Sequence, residues 1–416
     1  MTLSRREFTH YSLAAAALPA GFQSTSALAA APKLRRGIMF HHLLNWPLIT
    51  RHGAAIDYVW PPFATPAFRI SDEELATLVG VGFDFARLTV DPSIFIASAP
   101  ERQTELFDML RERIDRMLAA GLAVVVDLHP VRVNPKLMPT SLTQSENTPA
   151  FRTYADLVGA LAARLANYSG GNVIFEPMNE PHVDHGSGPA AWPRLQIILH
   201  DRIRDVAPDL PIVLTGGDWS DRKALVALDA SHYKASNVYW TFHYYDPHFY
   251  THQGFAADES RYVSDLAWPP KAENIAAARD DAVQRIDMDE KIGDEEKAAL
   301  RKRLVSSFDK YAASGHGPDR ILADFAEVAR WADANKIARS RVLLGEIGAM
   351  RVAGGLDVPG RALWLEQARR AAEHFGFPWA LCAYKAYTDD GFALYLSSRG
   401  GLASEDLAAL GLRAAK

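Results

Sequence analysis

Short runs of β-branched and aromatic residues alternate along the chain with longer stretches whose apolar residues recur every three or four positions. Eight short runs stand out: 36–40 (RGIMF), 83–88 (FDFARL), 123–128 (AVVVDL), 172–176 (NVIFE), 211–215 (PIVLT), 237–243 (NVYWTFH), 341–346 (RVLLGE) and 379–384 (WALCAY). They are nearly continuous in apolar residues, as strands covered on both faces are. Helical periodicity is predicted between them, over 71–79, 105–120, 151–168, 192–206 and 361–375. In 105–120, Leu106, Met109, Leu110, Ile114, Met117 and Leu118 form one apolar stripe on an otherwise charged helix, and Gly121 ends it. Eight buried strands, each followed by a helix, predict an α/β fold of the (β/α)₈ TIM-barrel type.

One stretch exceeds that plan. Residues 247–340 separate the sixth strand from the seventh, more than one crossover helix needs. Its first part, 248–274, is rich in aromatics and proline and predicts a long loop; 275–311 is charged and helical; 322–334 predicts the helix that returns to the barrel. It contains too few apolar residues for a core of its own, so it is expected to be an insertion within a single domain.

Composition narrows the partners. With 416 residues, 48% hydrophobic, and a formal net charge of -5, the chain has no block of Lys or Arg that would favour nucleic acid or an anionic membrane. Cys382 is the only cysteine, which excludes an intramolecular disulfide. Residues 1–31 have the form of a twin-arginine-type signal peptide: Ser4-Arg5-Arg6-Glu7-Phe8, an apolar run over 11–22, and the small-x-small pattern Ala27-Leu28-Ala29. The expectation is a periplasmic or secreted protein whose catalytic domain is 32–416. No later run approaches the ~20 apolar residues of a membrane span.

In such a barrel the chemistry sits at the carboxyl ends of the strands. Those ends bear Arg87, Asp127 and His129, Asn179 and Glu180, Trp219, His243 and Tyr245, and Glu346. Cleaving a glycoside with retention takes one carboxyl group to protonate the leaving oxygen and a second to attack the anomeric carbon. Glu180 follows the fourth strand and Glu346 closes the seventh, on opposite sides of the ring. A lone Glu at a strand end is usually a solvated loop residue; two at facing strand ends, one of them in Asn179-Glu180-Pro181-His182, predict a catalytic pair. Arg87 is expected to fix the nucleophilic carboxylate, or else to pair with Asp91. His129 and His243 are expected to orient the glutamates or substrate hydroxyls, Tyr245 to donate to Glu346, and Trp46 and Trp219 to stack on sugar rings. Trp240 and Trp379 lie inside strands and read equally as core.

These motifs resemble glycoside hydrolase family 5, and the likeness runs from Arg36-Gly37-Ile38 to Gly391-Phe392-Ala393-Leu394-Tyr395. It includes Gly82-Phe83-Asp84-Phe85-Ala86-Arg87-Leu88, Asp127-Leu128-His129-Pro130, Phe175-Glu176-Pro177-Met178-Asn179-Glu180-Pro181, Thr241-Phe242-His243-Tyr244-Tyr245, Thr251-His252-Gln253-Gly254 and Leu344-Gly345-Glu346. The resemblance implies a retaining (β/α)₈ glycosidase of cellulase type. It implies Glu180 as acid/base and Glu346 as nucleophile, with Arg87, His129, Asn179, His243 and Tyr245 around them. In one place the chain departs. The family's tryptophan after strand eight falls on Cys382, so Tyr384, Tyr387 or a nearby tryptophan must supply the flat face, or that subsite is altered.

The expected substrate is a neutral β-linked polysaccharide or oligosaccharide, cleaved internally as by an endo-β-glucanase, without cofactor or metal. Three alternatives compete. An exo-acting β-glucosidase or mannanase would follow if the insertion blocked the groove. A non-catalytic carbohydrate-binding protein would follow if the departure at Cys382 had cost activity. A metal-dependent hydrolase could use Asp127-x-His129 and His182-x-Asp184-His185.

Overall fold

The computed structural model describes residues 34–53, 55–182, 191–233, 237–255, 258–352, 355–385 and 390–415. Eight parallel strands close into a barrel: β1 (Arg36–Leu44), β2 (Phe85–Val90), β3 (Ala123–Leu128), β4 (Val173–Glu176), β5 (Ile212–Thr215), β6 (Val238–Tyr244), β7 (Val342–Ile347) and β8 (Trp379–Leu381). The ring closes where Arg36 and Ile38 of β1 stand opposite Trp379 and Leu381 of β8. Each predicted run is one of these strands.

Helices surround the ring: α1 (Asp72–Val81), α2 (Pro100–Ala119), α3 (Pro149–Leu165), α4 (Ala191–Val206), α5 (Arg222–Val226), α6 (Ala272–Met288), α7 (Asp294–Ser314), α8 (Pro318–Ala334) and α9 (Arg361–Phe375). Ser71 and Glu74 start α1 with a reciprocal capping box, the Ser71 hydroxyl accepting from the Glu74 amide at 3.1 Å and Glu74 Oε2 accepting from the Ser71 amide at 2.8 Å. Helix α2 begins at Pro100, earlier than its apolar stripe, because proline suits the first helical position and a polar first turn needs no burial. Two features had no apolar run to reveal them. A hairpin of Ile49–His52 with Ala55–Tyr58 follows β1, and a helical turn at His248–Thr251 breaks the expected loop.

Strand side chains alternate between the two faces. The outward ones, such as Leu88, Val126, Phe175, Trp240, Phe242 and Leu344, belong to the main core cluster under the helices. Trp240 packs edge-on against Tyr233 and Trp331, and Trp379 against Phe83, which makes both core residues. The inward ones form layers. At the amino-terminal end, Phe85, Val125, Ile174, Val213, Tyr239, Leu343 and Ala380 make a separate apolar cluster, closed below by Leu34. Two residues further along the same strands come Arg87, Asp127, Glu176, Thr215, Thr241, Gly345 and Cys382. Two residues along the strands, the barrel interior turns from apolar to a layer that includes Arg87, Asp127 and Glu176.

Strand β7 then breaks register. Phe242 faces Leu344, but the next residue, His243, faces Glu346, so Gly345 is an unpaired bulge. The bulge turns Glu346 into the mouth, where strict alternation would have placed Ile347. The segment between β6 and α8 forms the antiparallel pair α6–α7. Its buried Ala278, Ala282, Ile286, Leu300, Leu304 and Phe308 join the main core cluster.

Candidate active site

Arg87 organises the mouth. It is fully buried on β2 and spends its guanidinium on four oxygen-bearing side chains, with the Met39 sulfur also 3.2 Å from Nη1. Its Nε and Nη2 donate to the two oxygens of Glu176 at 2.9 and 2.8 Å. Nη1 donates to Glu346 Oε1 at 2.7 Å, and Nη2 to Asn179 Oδ1 at 2.7 Å, with Asp127 Oδ2 at 3.1 Å. The rigid fork of donors suits this task, which a lysine could not perform. Asp91, weighed as its partner, instead accepts from the amide and hydroxyl of Ser93 at 2.9 and 2.7 Å.

Because Arg87 takes the Asn179 oxygen, the amide nitrogen of Asn179 is left to donate to His129 Nε2 at 3.2 Å. His129 therefore carries its proton on Nδ1, which donates to Asp127 Oδ2 at 2.8 Å. The ring is neutral: burial lowers its pKa to about 4. Asp127 moves the other way, to about 7, raised mainly by burial and by Glu346 against the pull of Arg87. Bonded to each other in this chain, Asp127 and His129 are not free as a metal-ligand pair. Asp184 and His185 lie outside the described residues.

The backbone around Asn179 is fixed from both sides. Its amide donates to the Leu128 carbonyl at 2.9 Å, and its carbonyl accepts from the Ser220 hydroxyl at 2.6 Å. Pro177 and Pro181 cannot continue the ladder, so β4 ends at Glu176 and the chain turns Glu180 over the mouth.

Glu180 and Glu346 meet at His243. The imidazole Nδ1 is 2.7 Å from Glu180 Oε1 and 3.7 Å from Glu346 Oε2, and one imidazole nitrogen and one oxygen of each carboxylate all lie within 4.8 Å of one another. Glu346 also accepts the Tyr245 hydroxyl on Oε2 at 2.7 Å. Burial raises the Glu346 pKa, but His243, Arg87, His129 and the Tyr245 hydroxyl outweigh it and hold the carboxyl well below the ordinary range. It is thus an ionised carboxylate with both oxygens held. Glu180 is more exposed, with about a quarter of its side chain open to the cleft.

Trp219 reaches the cleft on an unusual backbone. Asp218, Trp219 and Ser220 all have positive φ, at 45°, 60° and 57°. Each such non-glycine residue costs on the order of 1–3 kcal/mol and persists only where its surroundings enforce it. Here the Trp219 amide donates to the Pro181 carbonyl at 3.2 Å, and the His243 amide to the Ser220 carbonyl at 2.9 Å. The Trp219 ring lies 4.4 Å from that of His182 and is 36% exposed. Trp46, also at positive φ, donates its indole N–H to His41 Nε2 at 2.8 Å. A cavity of ≈ 770 Å³ is lined by Trp46, His129, Glu180, His243, Trp219 and Phe255, among others.

All nine residues expected at the site thus converge on one mouth. At the position of the departure, the half-buried thiol of Cys382 lies against the Tyr245 hydroxyl, and burial pushes its pKa up. Tyr384 cannot replace a stacking platform. It is buried against Phe40 and Tyr395, and its hydroxyl donates to Glu74 at 2.7 Å. Tyr387 lies outside the described residues. The sequence reading also missed Glu176 as the bidentate partner of Arg87, and Phe255 and His252 in the cavity wall. A carboxylate ending an apolar strand was the available signal for Glu176; nothing local marked the other two.

A closed parallel barrel with paired carboxylates at its carboxyl end defines a barrel glycoside hydrolase. A family model described as cellulase (glycosyl hydrolase family 5) matches residues 59–385, and the chain belongs to that family. Endoglucanase 3 of Fibrobacter succinogenes is 20% identical over 331 residues, covering 76% of this chain and 46% of that protein. Cellodextrinase A of Ruminococcus flavefaciens is 25% identical over 191 residues, 44% of this chain and 54% of that one. The chain thus spans about half the length of these curated relatives. The structure of endoglucanase Cel5A from Thermotoga maritima superposes with a TM-score of 0.64 at 21% identity, covering 91% of this chain and 97% of that one.

Proposed function

We propose that residues 32–416 form one exported catalytic domain that cleaves a neutral β-linked polysaccharide internally, with retention of anomeric configuration. The observation that carries this reading is the spacing of the two carboxylates. Glu180 and Glu346 have oxygens within 4.8 Å of one another. Retaining enzymes set their carboxyl groups about 5–5.5 Å apart, and inverting ones about 6.5–9.5 Å to admit a water.

In the first step Glu346 Oε attacks the anomeric carbon while Glu180 gives its proton to the leaving oxygen. The glycosidic bond breaks and a glycosyl-Glu346 ester forms. In the second step Glu180, now a carboxylate, takes a proton from water. The hydroxide attacks the anomeric carbon and releases Glu346. Arg87 and Tyr245 keep the nucleophile ionised between turnovers. His243 shares a proton with Glu180 across 2.7 Å. A cleft lined by Glu180 together with the aromatic rings of Trp46, Trp219 and Phe255 suits binding of a sugar chain. Relatives described as an endoglucanase and a cellodextrinase support a β-glucan.

The test is reducing-sugar release by residues 32–416 from β-glucans, mannans and xylans, with product anomers followed by NMR. One polymer is expected to be cleaved with retention. Glu180→Gln should lose about 10²–10⁴-fold in rate, and Glu346→Gln at least as much. Inversion, or full activity in either variant, would overturn the assigned roles. A parent protein that binds one polymer and cleaves none would favour a carbohydrate-binding role. Export is tested separately: Arg5→Lys with Arg6→Lys should hold the precursor in the cytoplasm. Among the described residues no helix is long and apolar enough to cross a membrane.

A further inference from the structure

Metal-ligand types also gather away from the mouth. On the outside of the barrel His200 and Asp201 of α4 meet His232 from the connection between α5 and β6, and one ligand atom of each lies within 4.8 Å of the others. Asp201 Oδ1 is the centre of the group, 2.7 Å from His200 Nδ1 and 3.2 Å from His232 Nε2. In a tetrahedral site with bonds of about 2.0–2.1 Å the ligand atoms stand ~3.3 Å apart, so an ion needs only a small opening of this cluster.

Two observations separate the group from an ordinary surface ion pair. Its carboxylate has no Lys or Arg partner among the described residues. Arg204, one turn further along α4, gives its guanidinium instead to the Leu210 carbonyl at 2.7 Å and to Asn237 Oδ1 at 3.1 Å. The imidazoles are also held in place. Both lie edge-on to the buried ring of Tyr233, at 5.0 Å for His200 and 5.1 Å for His232, and edge-on to each other at 5.5 Å. Tyr233 rests in turn on Trp240 of β6. A ligand set oriented by packing is the condition for a precise metal site. His232 and Asp201 keep 41% and 53% of their side chains open to solvent, which leaves an ion a way in.

We propose that His200, Asp201 and His232 bind one divalent transition ion of the zinc class, with water completing the tetrahedron, and that this ion is structural. Two imidazole nitrogens and a carboxylate oxygen suit zinc, whereas magnesium and calcium take oxygen-rich sets. Each ring offers the nitrogen nearer Asp201, and the proton there moves to the other ring nitrogen or to solvent. The place of the site in the fold fixes its role. Connections from a helix into the next strand lie at the amino-terminal end of the barrel, opposite the mouth, and His232 stands on one of them. That end of such a barrel serves stability and not chemistry. The ion clamps the α5–β6 connection to α4 and takes no part in breaking a glycosidic bond, so the proposal stands apart from the roles of Glu180 and Glu346.

The experiment uses the full chain, purified without a histidine tag and freed of metal with EDTA. It is titrated with ZnCl₂ by calorimetry, and its melting temperature is followed. One zinc is expected to bind, and at about a hundredfold excess over Kd to raise the melting temperature by about 2–4 °C. MgCl₂ should do neither. His232→Ala and Asp201→Ala, both at solvent-open positions, should lose the zinc shift, while kcat without metal stays within about twofold of the parent. No zinc binding by the parent overturns the proposal, as does a shift that survives in both variants. Glu180, His243 and Glu346 also bring three ligand atoms within 4.8 Å of one another, so Glu180→Ala is the control. It should keep the zinc shift. Loss of the shift there, with retention in His232→Ala, places the ion in the mouth and overturns the proposal too.

Discussion

The lower and middle layers of the barrel interior are built by the same strands, two residues apart, yet they follow opposite rules. The lower layer, from Phe85 round to Ala380, is hydrophobic and buried, with the Tyr239 hydroxyl as a polar tip. The middle layer holds Arg87, Asp127 and Glu176, equally buried. Burying those three charges is expensive unless each is paired and hydrogen-bonded. The molecule satisfies that condition by routing them through one guanidinium. The lower layer is stable by itself; the middle layer is stable only as a set, and that set fixes Glu346 and Asn179. Stability and function are therefore separable by a single step along a strand.

The strongest way to break the comparison is Arg87→Met. It should leave Glu176, Asp127 and Glu346 facing one another without a cation, costing about 3–5 kcal/mol by denaturant unfolding. Activity should fall about 10³-fold or more, because Glu346 loses both the donor at 2.7 Å and the charge that keeps it ionised. Near-normal activity in this variant would show that the middle layer is not a set. The counterpart below is Ile174→Ala. Removing a fully buried side chain should cost about 2–5 kcal/mol, while kcat well below the melting temperature stays within about threefold of the parent. A large drop in kcat there would mean that the two layers are coupled. At the rim, Trp219→Ala should raise KM for a polymer about tenfold, or about 1.4 kcal/mol of stacking, and leave kcat little changed. A fall in kcat without any change in KM would remove Trp219 from substrate binding.

The contrast also explains what could be read from the sequence. The strands were legible because both faces are apolar, and Glu180 and Glu346 because they stand at strand ends. The middle layer was only partly legible. Arg87 is conspicuous in FDFARL, yet its bidentate partner Glu176 is brought to it by the curvature of the barrel and not by spacing along the chain. The bulge at Gly345 is a register shift between two strands, and a register exists only once the strands are paired. The positive-φ run through Asp218, Trp219 and Ser220 is equally hidden, since none of these residues signals that conformation as glycine would. Cys382 was visible as a departure, but its position beside Tyr245 depends on β8 closing against β7.

The remaining prediction is the most specific to the middle layer. The Asp127 carboxyl has an ordinary pKa of 3.8 and is raised to about 7 in the folded protein, chiefly by burial. Between those values the folded chain keeps a proton that the unfolded chain has released, so stability must fall as pH rises from about 4 to about 7 and then level off. Asn at this position cannot titrate, and its carbonyl can still accept the His129 Nδ1 proton, so the Asn179–His129 chain survives. Melting temperatures of Asp127→Asn and the parent, measured from pH 4.5 to 8, should therefore converge at the acid end and separate toward neutrality, with the variant the more stable. Glu346, depressed instead of raised, stabilises the fold above its unfolded pKa of 4.5 and loses that effect only as pH falls below it, outside the measured range. Curves that stay parallel would mean that Asp127 is ionised throughout, with Arg87 outweighing burial, and the middle layer would then be a charged network in full instead of one that keeps a proton in reserve.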